Sequence, residues 1–267
     1  MRRTTDATRS LDVARVLAAR RAHGLVTVWD VDGTLAPIAP TPEEARVPPA
    51  TRQALRRLAR RADTLVAVVS GRPLAQVERL VGGSSFWLSG LHGGARRAPG
   101  GHVRHFWGPN AARHGGRLAR RLAEALAGVP GVRIEPKGPV VAVHVRGVDA
   151  AGRVHVRKVV RQARPTGWQV LEGRRVLELR PRRLPTKADA VRWIAARRPG
   201  AAVLYVGDDT TDEDAFAVLG RGDFPVRVES RRARAERGAT VRTHARWRVA
   251  GHAGVARLIE RLSRSSE

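Results

Sequence analysis

Apolar residues in this chain fall into short unbroken runs that alternate with stretches in which they recur three and four positions apart. Leu25, Val26, Val28 and Trp29 form the first run, Thr64 to Val69 the second, and Ala201 to Val206 is apolar throughout. Runs of this length without polar alternation belong to strands covered on both faces, as in a parallel sheet. Between them, Thr51 to Ala62 carries Leu55, Leu58 and Ala59 at helical spacing, Lys187 opens a helix through Ala196, and Val255 to Leu262 forms a closing amphipathic helix. Shorter strand signals cover Ser85 to Gly90, followed by Leu91-His92-Gly93-Gly94 and a hairpin through Phe106, and Phe224 to Val228. Strands alternating with helices predict an α/β fold built on a parallel sheet.

From about Asn110 the order changes to helix (to Leu126), strands Val132 to Pro136 and Val140 to Val145, helix Arg153 to Arg164, and strands near Trp168 to Leu171 and Arg175 to Arg180. An α-β-β-α-β-β unit makes an open-faced sandwich of its own, so it reads as a domain inserted into the first. The expected organisation is core over 1–110, inserted domain over 111–180 and core again over 181–267. Residues 1–24 are basic, with Leu11, Ala14 and Ala18 on one helical face, and read as a leading helix or tail; 36–49 is a proline-rich loop wrapping the surface near the site;.

Composition narrows the class. With 267 residues, 42% of them hydrophobic, the chain can bury a proper core, and the absence of cysteine excludes disulfides, thiolate catalysis and cysteine-bound zinc;. No apolar run approaches the roughly 20 residues of a membrane span, and the N-terminus has no secretory signal core, so a cytoplasmic protein that binds no membrane is expected. The formal charge of +26 suggests polyanion binding, yet all but three of the fifty basic residues are arginine and they are scattered through every segment. That pattern fits a compositional bias, with salt-sensitive adhesion to polyanions but no specific nucleic-acid partner.

The chemistry sits at strand ends. Asp30 and Asp32 close the first run and Gly33 permits a tight turn after them, at the carboxyl end where open α/β sheets bind ligands;. Paired carboxylates there suit a nucleophile (Asp30) and an acid/base (Asp32) acting on a phosphate with Mg2+ to neutralise both; a plain polar turn is the competing reading. Ser70-Gly71-Arg72 ends the second run, and its hydroxyl and backbone N–H groups suit a phosphoryl oxygen or, equally, a helix-capping turn. Asp208, Asp209 and Asp212 follow the third, where crowded carboxylates call for a cation. Thr210 and Glu213 have capping-box spacing, predicting a helix that runs past Phe216 and Leu219;. Lys187 supplies a cation suited to holding both a phosphoryl group and an aspartate.

These motifs, in this order, resemble those of the haloacid dehalogenase-like (HAD) phosphatases. VVSGRP (Val68 to Pro73), SGLHGG (Ser89 to Gly94) and GDDTTDEDAF (Gly207 to Phe216) resemble more closely the trehalose-6-phosphate phosphatase family. The resemblance implies a Rossmann-like core with an inserted α/β cap that closes over the substrate. It implies Asp30 as nucleophile, and Asp32 as acid/base whose backbone carbonyl also binds Mg2+. Asp208 is the further metal ligand, with Asp209 and Asp212 nearby, and Thr34, Ser70, Gly71, Arg72 and Lys187 are phosphate contacts. In IEPKGPVVAVHVR and VLELRP it implies Glu135, Lys137 and Glu178 as partners of sugar hydroxyls, with His144 read as a core histidine. A monomeric hydrolase of trehalose 6-phosphate, serving trehalose biosynthesis, is the expectation. A phosphatase for glucosyl- or mannosyl-glycerate phosphate is the alternative within the enzymes, and a basic polyanion-binding protein the alternative outside them.

Overall fold

The computed structural model describes residues 9–83, 85–173, 175–229 and 243–264. The first eight residues of the basic leading stretch lie outside the described residues. The chain divides into two compact units, one made of 1–104 with 186–267, the other of 105–185.

The first unit is built on strands β1 (Arg9–Ser10), β2 (Leu25–Trp29), β3 (Thr64–Val69), β4 (Trp87–Gly90) and β5 (Ala95–Arg97), with β6 (Arg104–His105) where the chain passes into the second unit. After the second unit come β11 (Ala202–Gly207), β12 (Phe224–Glu229) and β13 (Trp247–Ala250). They join in the order β1-β13-β12-β11-β2-β3-β4-β5-β6, parallel from β1 through β4 and antiparallel at β4–β5. β2 is buried at every position, as an apolar strand covered on both faces must be. Helices α6 (Lys187–Ala195) and α7 (Glu213–Ala217) pack on the face of Val26, Val28, Val203 and Tyr205 through Val191, Ile194 and Phe216. Helix α8 (Gly251–Ser263) packs against both α1 (Val13–His23) and α2 (Pro49–Ala59), and α1, α2 and α8 pack against β11, β3 and β12 respectively, while α3 (Leu74–Val81) packs on β4.

Two consequences of this order position the chemistry. β2 pairs with β3, the next strand in sequence, on one side, and with β11, which returns from far along the chain, on the other, so the strand order reverses at β2/β11. A crevice opens at such a reversal, beyond the carboxyl ends of the strands. Asp30 follows β2 and Asp208 follows β11, and the two ends are tied by the Asp30 N–H donating to the Val206 carbonyl at 2.9 Å.

The second unit is a four-stranded antiparallel sheet in the order β7-β8-β10-β9 with two helices: α4 (Pro109–Ala125), β7 (Arg133–Lys137), β8 (Val140–His144), α5 (Ala150–Ala163), β9 (Trp168–Gly173) and β10 (Val176–Pro181). Leu118, Leu122, Val156 and Val160 of the helices meet Val141, Val143, Leu177 and Leu179 of the sheet in a separate core. Alternation along each strand sends the intervening residues to the other face, where Glu135, Ala142 and Glu178 stand in one row across β7, β8 and β10.

The second acidic strand end departs from expectation. The segment after β11 is a 3-10 turn over Thr210–Asp212, followed by only five residues of α-helix. Its capping box is formed by Asp209 and Asp212, not by Thr210 and Glu213. Glu213 turns away instead: its Oε1 accepts from Arg227 Nη1 at 2.6 Å and Thr243 Oγ1 at 2.8 Å, and its Oε2 from the His244 N–H at 2.8 Å.

Candidate active site

Asp30 is almost wholly buried, 4% exposed, at the carboxyl end of β2. Lys187 Nζ donates to its Oδ1 at 2.8 Å and to Asp212 Oδ1 at 2.6 Å. The position of Lys187 is set by the start of α6, where Thr186 and Asp189 form a full capping box;. Asp212 is anchored in turn, its Oδ1 accepting from the Tyr205 hydroxyl at 2.6 Å and its Oδ2 from the Asp209 N–H at 2.9 Å.

Carboxylate oxygens of Asp30, Asp208 and Asp212 lie within 4.8 Å of one another. Two glycines make that crowding possible. A Cβ on Gly33, whose φ is +85°, would stand 2.2 Å from Asp208 Oδ2, and one on Gly207 would stand 2.3 Å from Asp212 Cγ. Backbone is thus pressed against each carboxylate from behind, an approach only glycine allows.

The electrostatics follow from the burial. Desolvation pushes the Asp30 carboxyl up to about 8, the Asp212 and Asp32 charges adding to this and Lys187 opposing it. Asp208 is raised well above the usual carboxylate range, first by burial and then by the charges of Asp30, Asp212 and Asp209. Burial alone would lower the Lys187 ammonium, but Asp212 and Asp30 outweigh it and hold it well above its ordinary value. One ammonium therefore serves three carboxylates. Asp208 Oδ1 is buried and has no hydrogen-bond partner among the described residues. A hard, all-oxygen donor set with an orphaned buried carboxylate oxygen fits a divalent cation such as Mg2+.

Around this centre the remaining expected residues take distinct places. Thr34 is buried and its hydroxyl has no partner among the described residues, so it is available to a ligand oxygen. Ser70, at the carboxyl end of β3, accepts the Arg72 N–H on its Oγ at 3.2 Å. Gly71 packs against the His92 ring, which would lie 2.6 Å from a Cβ there. Two of the expected residues have protein partners of their own. The Arg72 guanidinium, read as a phosphate contact, grips Asp32, with Nε to Oδ2 and Nη2 to Oδ1 both at 2.7 Å, and its Nη1 donates to the Pro42 carbonyl at 2.8 Å. Asp209, grouped with the metal ligands, is absent from the carboxylate cluster because its side chain caps the 3-10 turn.

In the second unit, Lys137 Nζ lies 3.0 Å from Glu178 Oε1 and 3.8 Å from Glu135 Oε2. His144 is not a core histidine: it is half-buried, with Nε2 2.8 Å from Glu135 Oε2. Burial pushes Glu135 up, but the His144 hydrogen bond and the Lys137 charge more than offset it and hold the carboxyl below its usual range. Strand pairing brings the two together: His144 stands opposite Arg133, on the same face as Glu135 two residues along β7, and the sequence shows only the alternation of that face;. No comparable signal marked Tyr205 or the Arg72 fork.

Residues 28–252 match the sequence profile of the trehalose-phosphatase family. The chain belongs to that family. Among its curated relatives, the trehalose-phosphate phosphatase of Mycobacterium bovis (strain BCG) is 37% identical over 235 residues, covering 85% of this chain and 59% of the relative. An uncharacterized glycosyl hydrolase of Mycobacterium tuberculosis is 39% identical over 212 residues, covering 76% of this chain and 16% of that protein. The chain thus spans little more than half the length of the first of these relatives and a small part of the second. Of solved structures, the C-terminal domain of Candida albicans trehalose-6-phosphate phosphatase superposes with a TM-score of 0.79 at 20% identity, covering 97% of this chain and 99% of that one. A haloacid dehalogenase-like hydrolase from B. subtilis superposes with a TM-score of 0.58 at 16% identity, over 88% and 98%. The fold of this family member is therefore the HAD-like α/β fold. Among the described residues, no helix is long and apolar enough to cross a membrane.

Proposed function

We propose that the chain is a Mg2+-dependent phosphoric monoester hydrolase acting on trehalose 6-phosphate, with the unit 105–185 as its cap. What supports the chemistry above all is one observation: a buried aspartate held by a buried lysine at the reversal of the sheet, beside an Asp208 oxygen that nothing in the described chain satisfies. The alternative of a basic polyanion-binding module gives no reason to bury three carboxylates around one ammonium.

In this reading Asp30 attacks phosphorus through a carboxylate oxygen, the bond to the sugar oxygen breaks, and an aspartyl-phosphate forms. Asp32 gives its proton to the departing sugar oxygen, then takes one from the water that attacks the aspartyl-phosphate and frees Asp30. Lys187 holds Asp30 in line and offsets charge on the phosphoryl oxygens. Thr34, Ser70 and the Gly71 N–H are its further contacts. Asp30 and Asp208, with the Asp32 backbone carbonyl, would hold Mg2+, which supplies charge neutralisation at the phosphoryl group. Asp212, whose oxygens are already occupied by Lys187, Tyr205 and Asp209, serves to fix the lysine.

Glu135, Lys137 and Glu178 are proposed to bind the sugar. A row of charged groups on one sheet face suits a ligand whose every hydroxyl needs a partner when desolvated. The test is phosphate release with Mg2+ from trehalose 6-phosphate, glucose 6-phosphate, glucosylglycerate phosphate and an aryl phosphate, with Asp30→Asn as control. Preference for trehalose 6-phosphate, lost in the variant and on chelation, is the expected result. Preference for another sugar phosphate would keep the chemistry and overturn the roles of Glu135, Lys137 and Glu178; no metal-dependent release from any would overturn the reading.

A further inference from the structure

We infer that Arg72 is the positioning residue of the acid/base carboxylate, fastening Asp32 to the phosphate-loop serine and to the turn at 41–44; the inference rests on the reading of Asp32 given above. The Arg72 side chain is 10% exposed and that of Asp32 is 40% exposed. The guanidinium is therefore the fixed member of the pair. Its Nε and Nη2 hold both carboxylate oxygens at 2.7 Å in a parallel fork, the geometry in which arginine adds direction as well as charge. The third nitrogen reaches the carbonyl of Pro42, in the 3-10 turn Pro42–Glu44 of the proline-rich loop. The same residue's N–H donates to Ser70 Oγ. The turn after β2 and the proline-rich loop thus meet on one side chain, whose own backbone is tied to Ser70.

An aspartate on a turn, with much of its carboxylate in water, samples several rotamers unless something holds it. The fork leaves one orientation, in which each oxygen keeps a remaining lone pair directed away from the guanidinium. Catalysis requires that orientation twice. As the P–O bond to the sugar breaks, the Asp32 proton moves to the bridging oxygen while phosphorus passes to Asp30. As water then attacks phosphorus, Asp32 recovers a proton from it and the Asp30–phosphorus bond breaks. Protons balance over the cycle without any further reactant. Arg72 touches neither substrate nor the reacting atoms in this account, and acts only through Asp32.

The experiment uses leaving groups of different need. A sugar alkoxide departs only with a proton, whereas p-nitrophenolate departs without one, so misplacing the acid slows the first and spares the second. Single-turnover release of p-nitrophenolate, with enzyme in excess, reports phosphoryl transfer to Asp30 alone. For Arg72→Gln we expect kcat on trehalose 6-phosphate to fall by about 10²–10³, with KM and inhibition by inorganic phosphate within about threefold of the unsubstituted chain and single-turnover aryl release reduced far less than the sugar reaction. Asp32→Asn should show the same split. Arg72→Lys keeps the charge but not the fork, so it should recover only part of the loss; it also carries the test if Arg72→Gln does not fold. Parallel loss on both substrates with weakened phosphate inhibition would overturn the inference and make Arg72 a phosphate ligand. Unchanged kinetics in both variants would overturn it as well. No aryl release by the unsubstituted chain in Mg2+ would instead sink the phosphoenzyme reading on which it stands.

Discussion

Replacing the nucleophile should make the metal-free protein more stable, by an amount that depends on pH. Asp30 is buried beside Asp212 and Asp208, and its carboxyl is raised from 3.8 to about 8. Because the folded value lies above the unfolded one, the folded state keeps a proton that the unfolded chain has lost throughout that interval. Stability therefore falls as pH rises from about 4 to about 8 and levels off above it. The interval of 3.8 to about 8 corresponds to about 6 kcal/mol; Lys187 and the other carboxylates share the titration, so about half of it, roughly 3 kcal/mol, is assigned to Asp30;. Asparagine keeps the shape and carries no charge to bury. In chelator at pH 8, Asp30→Asn should then melt on the order of 6–12 °C above the unsubstituted chain, with the gap closing towards pH 5. Saturating Mg2+ should narrow it at pH 8, since a ligand at 100 times its Kd adds about 2.7 kcal/mol to a chain that binds it and the variant has lost one ligand. Scanning fluorimetry across pH 5, 6.5 and 8, with and without Mg2+, measures all of this. A variant no more stable than its parent at pH 8 in chelator, or a gain equal at pH 5 and pH 8, would refute the account of the site as an over-charged cradle.

Lys187→Met removes the ammonium shared by Asp30 and Asp212; activity should vanish, and the metal-free protein should lose about 3–5 kcal/mol in urea denaturation near pH 8, less at pH 5. Gly33→Ala places a methyl 2.2 Å from the Asp208 carboxylate on a backbone of φ +85°, so phosphate-release assays should show a loss of at least about 100-fold together with a strain cost of about 1–2 kcal/mol. Tyr205→Phe deletes one donor to Asp212 Oδ1 and should cost about 1–2 kcal/mol in chemical denaturation with only a several-fold fall in kcat. Glu178→Gln, in the second unit, should raise KM for the sugar phosphate while leaving aryl phosphate hydrolysis unchanged.

The strands and the chemistry they carry were legible because both are local. An unbroken apolar run ending in Asp30-Val31-Asp32-Gly33, or in Gly207-Asp208, states its burial and its strand end within a few residues. Pairings between distant residues were not legible in this way. Arg72 and Asp32 stand forty residues apart and meet across adjacent strand ends, and nothing in Ser-Gly-Arg-Pro distinguishes an arginine that holds a carboxylate from one that holds a phosphate. The helix after Asp209 was misplaced for a similar reason. Thr210 and Glu213 have the spacing of a capping box, but Glu213 is claimed by Arg227, Thr243 and His244 from later in the chain. Tertiary partners outbid local propensity there, and the cap moved one residue back. His144 sits in an apolar run and reads as core; that it shares a face with Glu135, diagonally across from it, emerges only once β7 and β8 are paired.

The near-absence of lysine has a practical side. The chain's three lysines are Lys137, Lys158 and Lys187, and two of them are shielded inside ion pairs, their side chains 8% and 3% exposed. Lys158 alone is exposed, on α5. Amine-directed reagents, which pass over guanidinium groups, should therefore find a single side chain on the folded surface, and a fluorophore or a tether attached there would leave both ion-paired lysines untouched.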